Sequence, residues 1–125
     1  MLQNGGATMA ATADDLVKET TTQGFVKDVI EASKQQPVLV DFWAPWCGPC
    51  RAVEPVLRQL EEEYGPKVKF AKLDIDQNLQ TASRYEVLSI PTAILFEGGE
   101  PRETVIGARP RSHYEQAWAQ WLTPA

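Results

Sequence analysis

The seven residues Pro37-Val38-Leu39-Val40-Asp41-Phe42-Trp43 carry a single charge, at Asp41. So nearly continuous an apolar run fits a central strand covered on both faces better than a strand with one wet side. A chain built around it must place layers on both sides of a sheet. The run passes through Ala44-Pro45-Trp46-Cys47-Gly48-Pro49-Cys50 into a helical stripe of Val53, Val56, Leu57, Leu60 and Tyr64 that stops at Gly65-Pro66. Pro55 falls inside this helix and predicts a kink.

The flanking sequence alternates between the two periods. Leu16 to Thr20 reads as a short edge strand, and Phe25, Val26, Val29, Ile30 and Ser33 recur at helical spacing, with Thr20 and Gln23 matching a capping box. Gln36-Pro37 ends that helix. Val68 to Ile75 is a strand, Asn78 to Tyr85 a short helix with Asp76 as its cap, and Ala93 to Phe96 a further strand. Gly98-Gly99 turns the chain into Thr104 to Gly107 as an antiparallel hairpin. Ser112 and Glu115 match a second capping box, opening a last helix with inner residues Tyr114, Ala117, Trp118, Trp121 and Leu122. The expectation is one α/β domain over 15–125, with a mixed central sheet of about five strands and about four helices. Residues 1–14, small and polar, read as a flexible tail.

With 125 residues, 43% of them apolar, the chain is long enough to bury a core without disulfide staples or a structural metal. Its net charge of −5 argues against phosphate backbones and anionic lipid, so no nucleic acid and no membrane partner is expected. No apolar run reaches the length of a membrane span. The first residues lack a basic head before an apolar stretch, and no Arg precedes Arg51, so a cytoplasmic address is expected unless a signal has been removed.

Cys47 and Cys50 are the only cysteines. Their spacing puts both sulfurs in the first turn of the long helix, close enough to pair. At that end, free backbone N–H groups and the positive end of the helix dipole favour a thiolate at Cys47. Pro49 fits a first turn, where its missing N–H would have had no partner. Two other readings stand beside a redox pair: half of a zinc site, for which His113 is the one further ligand, and two buried core residues. A cysteine pair at a strand-to-helix junction favours the redox reading.

Trp43-Ala44-Pro45-Trp46-Cys47-Gly48-Pro49-Cys50 closely resembles the active-site sequence of thioredoxins. The similarity runs from about Phe25 to Trp121 and includes Val40-Asp41-Phe42, Pro55, Ala71-Lys72-Leu73-Asp74-Ile75-Asp76, Ile90-Pro91-Thr92 and Gly107-Ala108. It implies a thioredoxin fold and a thiol–disulfide oxidoreductase that reduces protein disulfides without a bound cofactor or metal, through a redox-active Cys47–Cys50 disulfide. It also implies disulfide-containing client proteins and an NADPH-dependent thioredoxin reductase as partners; a monomer is expected. Gly48-Pro49 is similar to the pair found in reducing members. An oxidase or isomerase, an exported reductant, and a binding or chaperone module are the alternatives.

Asp41 is either a strand-end residue in water or a desolvated acid behind the cysteines; the resemblance implies the second, a base that helps deprotonate Cys50. Val68, Phe70 and Lys72 share one strand face, which makes Lys72 its expected companion, a solvated strand-end lysine being the other reading. Pro91 is trans by the general preference of X–Pro bonds. The resemblance implies the opposite, a cis proline facing the cysteines, with Ile90 and Pro91 contacting an extended substrate segment. Trp46, Gly107 and Ala108 are carried over as further substrate contacts. Trp43 is expected to pack against the helix, Trp118 in the core, and His113 in solvent.

Overall fold

A computed structural model describes residues 17–122. The expected tail at 1–14 lies outside them, as do both ends of the expected domain and Leu16 of the edge strand. Five strands, β1 (Lys18–Thr20), β2 (Val38–Trp43), β3 (Lys69–Asp74), β4 (Thr92–Glu97) and β5 (Glu100–Ile106), form one sheet in the order β1-β3-β2-β4-β5. The apolar run is its central strand. β2 is parallel to β3 and antiparallel to β4; β1 joins β3 in parallel and β5 closes an antiparallel hairpin on β4.

Side-chain alternation along β2 feeds two cores. On one face Leu39 packs with Phe70, Ala93 and Leu95 against Val53, Leu57 and Leu60 of helix α2 (Gly48–Tyr64), and against Tyr114, Trp118 and Leu122 of α4 (Arg111–Ala117) and α5 (Ala119–Leu122). On the other, Val38, Val40 and Phe42 meet Phe25 just before the first helix, Val29 within it and Ala82 of α3 (Leu79–Arg84). The first helix, α1 (Val26–Glu31), has the wide π pattern and tightens into a 3-10 turn at Ala32–Lys34. α2 runs unbroken through Pro55.

Three local expectations are corrected. Thr20 does not cap α1: it lies in β1, where its hydroxyl donates to Asp28, while the Thr21 hydroxyl accepts the Gly24 N–H. Asp76 does not cap α3, whose flanking residue Asn78 instead accepts the Thr22 N–H and donates to the Asp74 carbonyl. Ser112 and Glu115 form no capping box, because α4 starts behind Pro110 and Glu115 is taken by Tyr64 and Arg111. In each case a tertiary partner outcompetes the nearby backbone amide. The last helix is also two segments, since the backbone at Trp118 leaves the helical region (φ −109°, ψ 17°). β5 begins at Glu100, four residues before the expected Thr104, with a register shift opposite Leu95/Phe96 that accommodates Pro101 on an edge strand.

Leu60, fully buried between α2 and the sheet, sets a test of this core. Leu60→Ala is expected to cost about 2–5 kcal/mol, whereas Leu88→Ala, at a residue 95% exposed, is expected to stay within about 0.5 kcal/mol. Urea unfolding with an unchanged m value checks both.

Candidate active site

The junction between β2 and α2 places the cysteines. β2 ends at Trp43, and Cys47 is the N-cap of α2, with extended backbone (φ −86°, ψ 108°) and its N–H on the Ala44 carbonyl at 3.1 Å. Gly48 and Pro49 occupy the first helical positions, where Pro49 forfeits no hydrogen bond. A Cβ on Gly48 would meet nothing within 4 Å, so packing does not require glycine there. Cys47 and Cys50 are joined by a disulfide, with Cα atoms 5.3 Å apart. The Cys47 sulfur accepts the Cys50 N–H at 3.2 Å. Both cysteines are buried with Ala44, and Trp43, Ile75 and Ile90 pack against them. Among the described residues no group of three or more His, Cys, Asp or Glu side chains could hold a metal, and His113 is exposed on α4.

Trp46 projects from the cysteine loop, 67% exposed, and its indole N–H donates to Asp76 at 2.8 Å. The Arg51 guanidinium braces the same loop on the Pro45 carbonyl at 2.7 Å. On the opposite side the Ile90–Pro91 bond is cis. The Pro91 carbonyl accepts the N–H of Gly107 at 2.8 Å. Gly107 has φ +89°, a left-handed backbone that favours glycine. The Tyr114 hydroxyl donates to the Gly107 carbonyl and accepts the Arg109 N–H, each at 3.2 Å, which ties the loop around Ala108 to α4. Cysteine loop, cis-proline loop and Gly107-Ala108 loop thus meet at one end of the sheet. Trp43 is half-buried at the end of β2, and Trp118 is fully buried.

Asp41 sits behind the disulfide on the α2 face of β2, 5% exposed, and its Oδ1 has no hydrogen-bond partner. Burial, reinforced by the neighbouring Glu54 charge and opposed by Lys72, pushes its carboxyl up to about 7. A cavity of about 20 Å³, enough for one water, is lined by Asp41, Trp43, Cys50, Arg51 and Glu54. Lys72 stands opposite Asp41 in the parallel register of β2 and β3. Its ammonium nevertheless pairs with Glu54 Oε2 at 3.2 Å and lies over the Trp43 ring, 5.1 Å from the centroid. A partly exposed carboxylate lets the ammonium keep some water, which a closed pair with Asp41 would strip away. The sequence reading gives no site role to Glu54, Asp76 or Tyr114: Asp76 is expected only as a helix cap and Tyr114 only as an inner residue of the last helix. Glu54 precedes Pro55, off the apolar stripe of α2, and was legible only as a surface acid.

The Asp41 carboxyl couples stability to pH. The folded chain holds its proton up to about pH 7, while the unfolded chain releases it near the ordinary aspartate value of about 3.9. The stabilising contribution, roughly 4 kcal/mol in full, is therefore complete below about pH 4 and is lost as pH rises to about 7. Asp41→Asn is expected to be more stable than the parent at pH 8 by an amount that shrinks toward pH 4, as read by urea unfolding across pH. A difference independent of pH would place Asp41 in water.

A family model described as thioredoxin matches residues 16–120. A thioredoxin of Synechocystis is 47% identical over 104 residues, covering 83% of this chain and 95% of that protein. A bifunctional thioredoxin reductase/thioredoxin of Mycobacterium leprae is 47% identical over 94 residues, 75% of this chain and 20% of its own length. Thioredoxin M4 of Arabidopsis thaliana, described as chloroplastic, is 48% identical over 86 residues; the match takes in 69% of this chain and 45% of that protein. No described helix is long and apolar enough to cross a membrane. With the cysteine pair at the head of α2 and these similarities over most of its length, the chain belongs to the thioredoxin family of thiol–disulfide oxidoreductases.

Proposed function

We propose that the chain reduces disulfides in other proteins by a division of labour between its two cysteines. Cys47, as a thiolate, attacks one sulfur of a client disulfide; an S–S bond forms between Cys47 and the client, and the client's other sulfur leaves with the electron pair. Cys50 then passes its proton to the Asp41 carboxylate and attacks the Cys47 sulfur. The client leaves as a dithiol, its second sulfur taking up a proton, and the Cys47–Cys50 disulfide holds the two-electron oxidation. The observation that carries this assignment is the N-cap position of Cys47, whose sulfur already accepts a helix N–H. The same donor and the helix dipole favour negative charge on that sulfur once the bond is reduced. Lys72 tunes the proton step from β3, and Gly48 and Pro49 shape the turn that holds the sulfurs together.

The client segment is assigned to the surface around exposed Trp46 and Ala108, half-buried Ile90 and Gly107, and the buried cis Pro91, where it adds in extended form beside Ile90. A thioredoxin reductase drawing on NADPH restores the dithiol, a reading supported by the relative in which the two names are joined in one chain. We assign the working form as a monomer in a reducing compartment, the cytoplasm.

Cys50→Ser is expected to accumulate mixed disulfides with clients through Cys47, and Cys47→Ser none; equal trapping by both variants would reverse or void the roles. If the protein acts as a binding module, replacing both cysteines by serine leaves its biological activity intact; the proposed role requires turnover to vanish. A redox titration of the pair is expected near the value of about −270 mV known for thioredoxin. A potential above about −200 mV would instead mark an oxidant or isomerase.

A further inference from the structure

Besides Asp41, Glu54 is the one acid lining the cavity that also borders Trp43, Cys50 and Arg51, and its carboxylate accepts from Lys72. It lies on the first part of α2, its side chain one-third exposed, with Lys72 Nζ at 3.2 Å on Oε2 and Arg58 at 3.4 Å on Oε1. Lys72 is the cation that the strand register sets against Asp41. By engaging the ammonium, Glu54 leaves Asp41 Oδ1 without a partner. We propose that Glu54 is a positioning residue for the proton step: it engages the Lys72 ammonium in an ion pair and, with its own charge, governs how readily Asp41 accepts the Cys50 proton.

The charged and titratable groups around Asp41 identify Glu54 as the adjustable one. From β3 comes Lys72; from α2 come Arg51, Glu54 and Cys50; from α4 comes Tyr114, which feels the Asp41 charge; the β4 partner Ala93 is uncharged. Arg51 is committed to the Pro45 carbonyl and Tyr114 to Gly107 and Arg109. Glu54 therefore acts on Asp41 in two ways of the same sign. It contributes a nearby negative charge, which disfavours a second one, and it keeps the compensating ammonium at a distance. Neutralising it lowers the pH at which Asp41 ionises.

This inference rests on Asp41 being the base for Cys50, and the experiment separates the two. The Asp41 carboxyl is followed by carbon-13 NMR in the full chain between about pH 5 and pH 9, together with the rate of insulin reduction over the same range. In Glu54→Gln the Asp41 titration and the acidic limb of the rate profile are expected to move together to lower pH, by about half a unit to one unit. Glu54→Asp, which keeps the charge, is expected to restore most of the parent titration, and Lys72→Met to move it the opposite way. An Asp41 titration unmoved in Glu54→Gln would overturn the role of Glu54. A rate limb retained in Asp41→Asn would overturn Asp41 as the base, whatever Glu54 does to its titration.

Discussion

The cysteine pair works at the place where a strand buried on both faces hands the chain to a helix. β2 cannot shift without moving side chains out of both cores at once, because Leu39 serves one face while Val38, Val40 and Phe42 serve the other. α2 is anchored to the first of those faces by Val53, Leu57 and Leu60. Its N-terminus is thereby held at the edge of the packed region, with Cys47 as its cap and a free end of backbone donors beneath the sulfur. The chemistry draws on this arrangement: two sulfurs three residues apart are held in bonding reach at the head of a helix packed against the sheet.

A strand so fully covered makes its single acid expensive. Asp41 is held among apolar groups with one oxygen unpartnered, and burial raises its proton affinity into the neutral range. Stability is given up to keep a carboxyl of this kind beside a thiol, a pattern expected where titration serves the reaction and not the fold. The ionic neighbours follow a hierarchy of solvation. Lys72 and Glu54 pair near the surface, where both retain water, and Asp41 is left to desolvation.

The wall facing the cysteines is built from loops, each pinned by polar contacts from elsewhere in the chain. Pro91 receives the Gly107 N–H, Tyr114 bridges Gly107 and Arg109, and Asp76 holds the indole of Trp46. Rigid strands and helices thus present three short loops in fixed relation, with an exposed indole at the rim.

Periodicity, breakers and motif chemistry act over a few residues, so the sequence by itself determined roughly where the strands and α2 lie and that Cys47 and Cys50 are within reach of each other, whereas spacing leaves the burial of Asp41 open and only the resemblance implies it. These depend on local backbone preference and on which side chains avoid water. The caps at Thr20, Asp76 and Ser112 were misjudged because short-range hydrogen bonds are weak and yield to partners that folding delivers: Asp28 for Thr20, Trp46 for Asp76, and Tyr64 with Arg111 for Glu115. Only the tertiary structure decided that Lys72 bonds Glu54 and not Asp41, and that Tyr114 anchors the Gly107 loop. In each case a charged or polar group chooses among several partners brought close by the whole fold, and the choice is made by relative solvation, which no local spacing encodes.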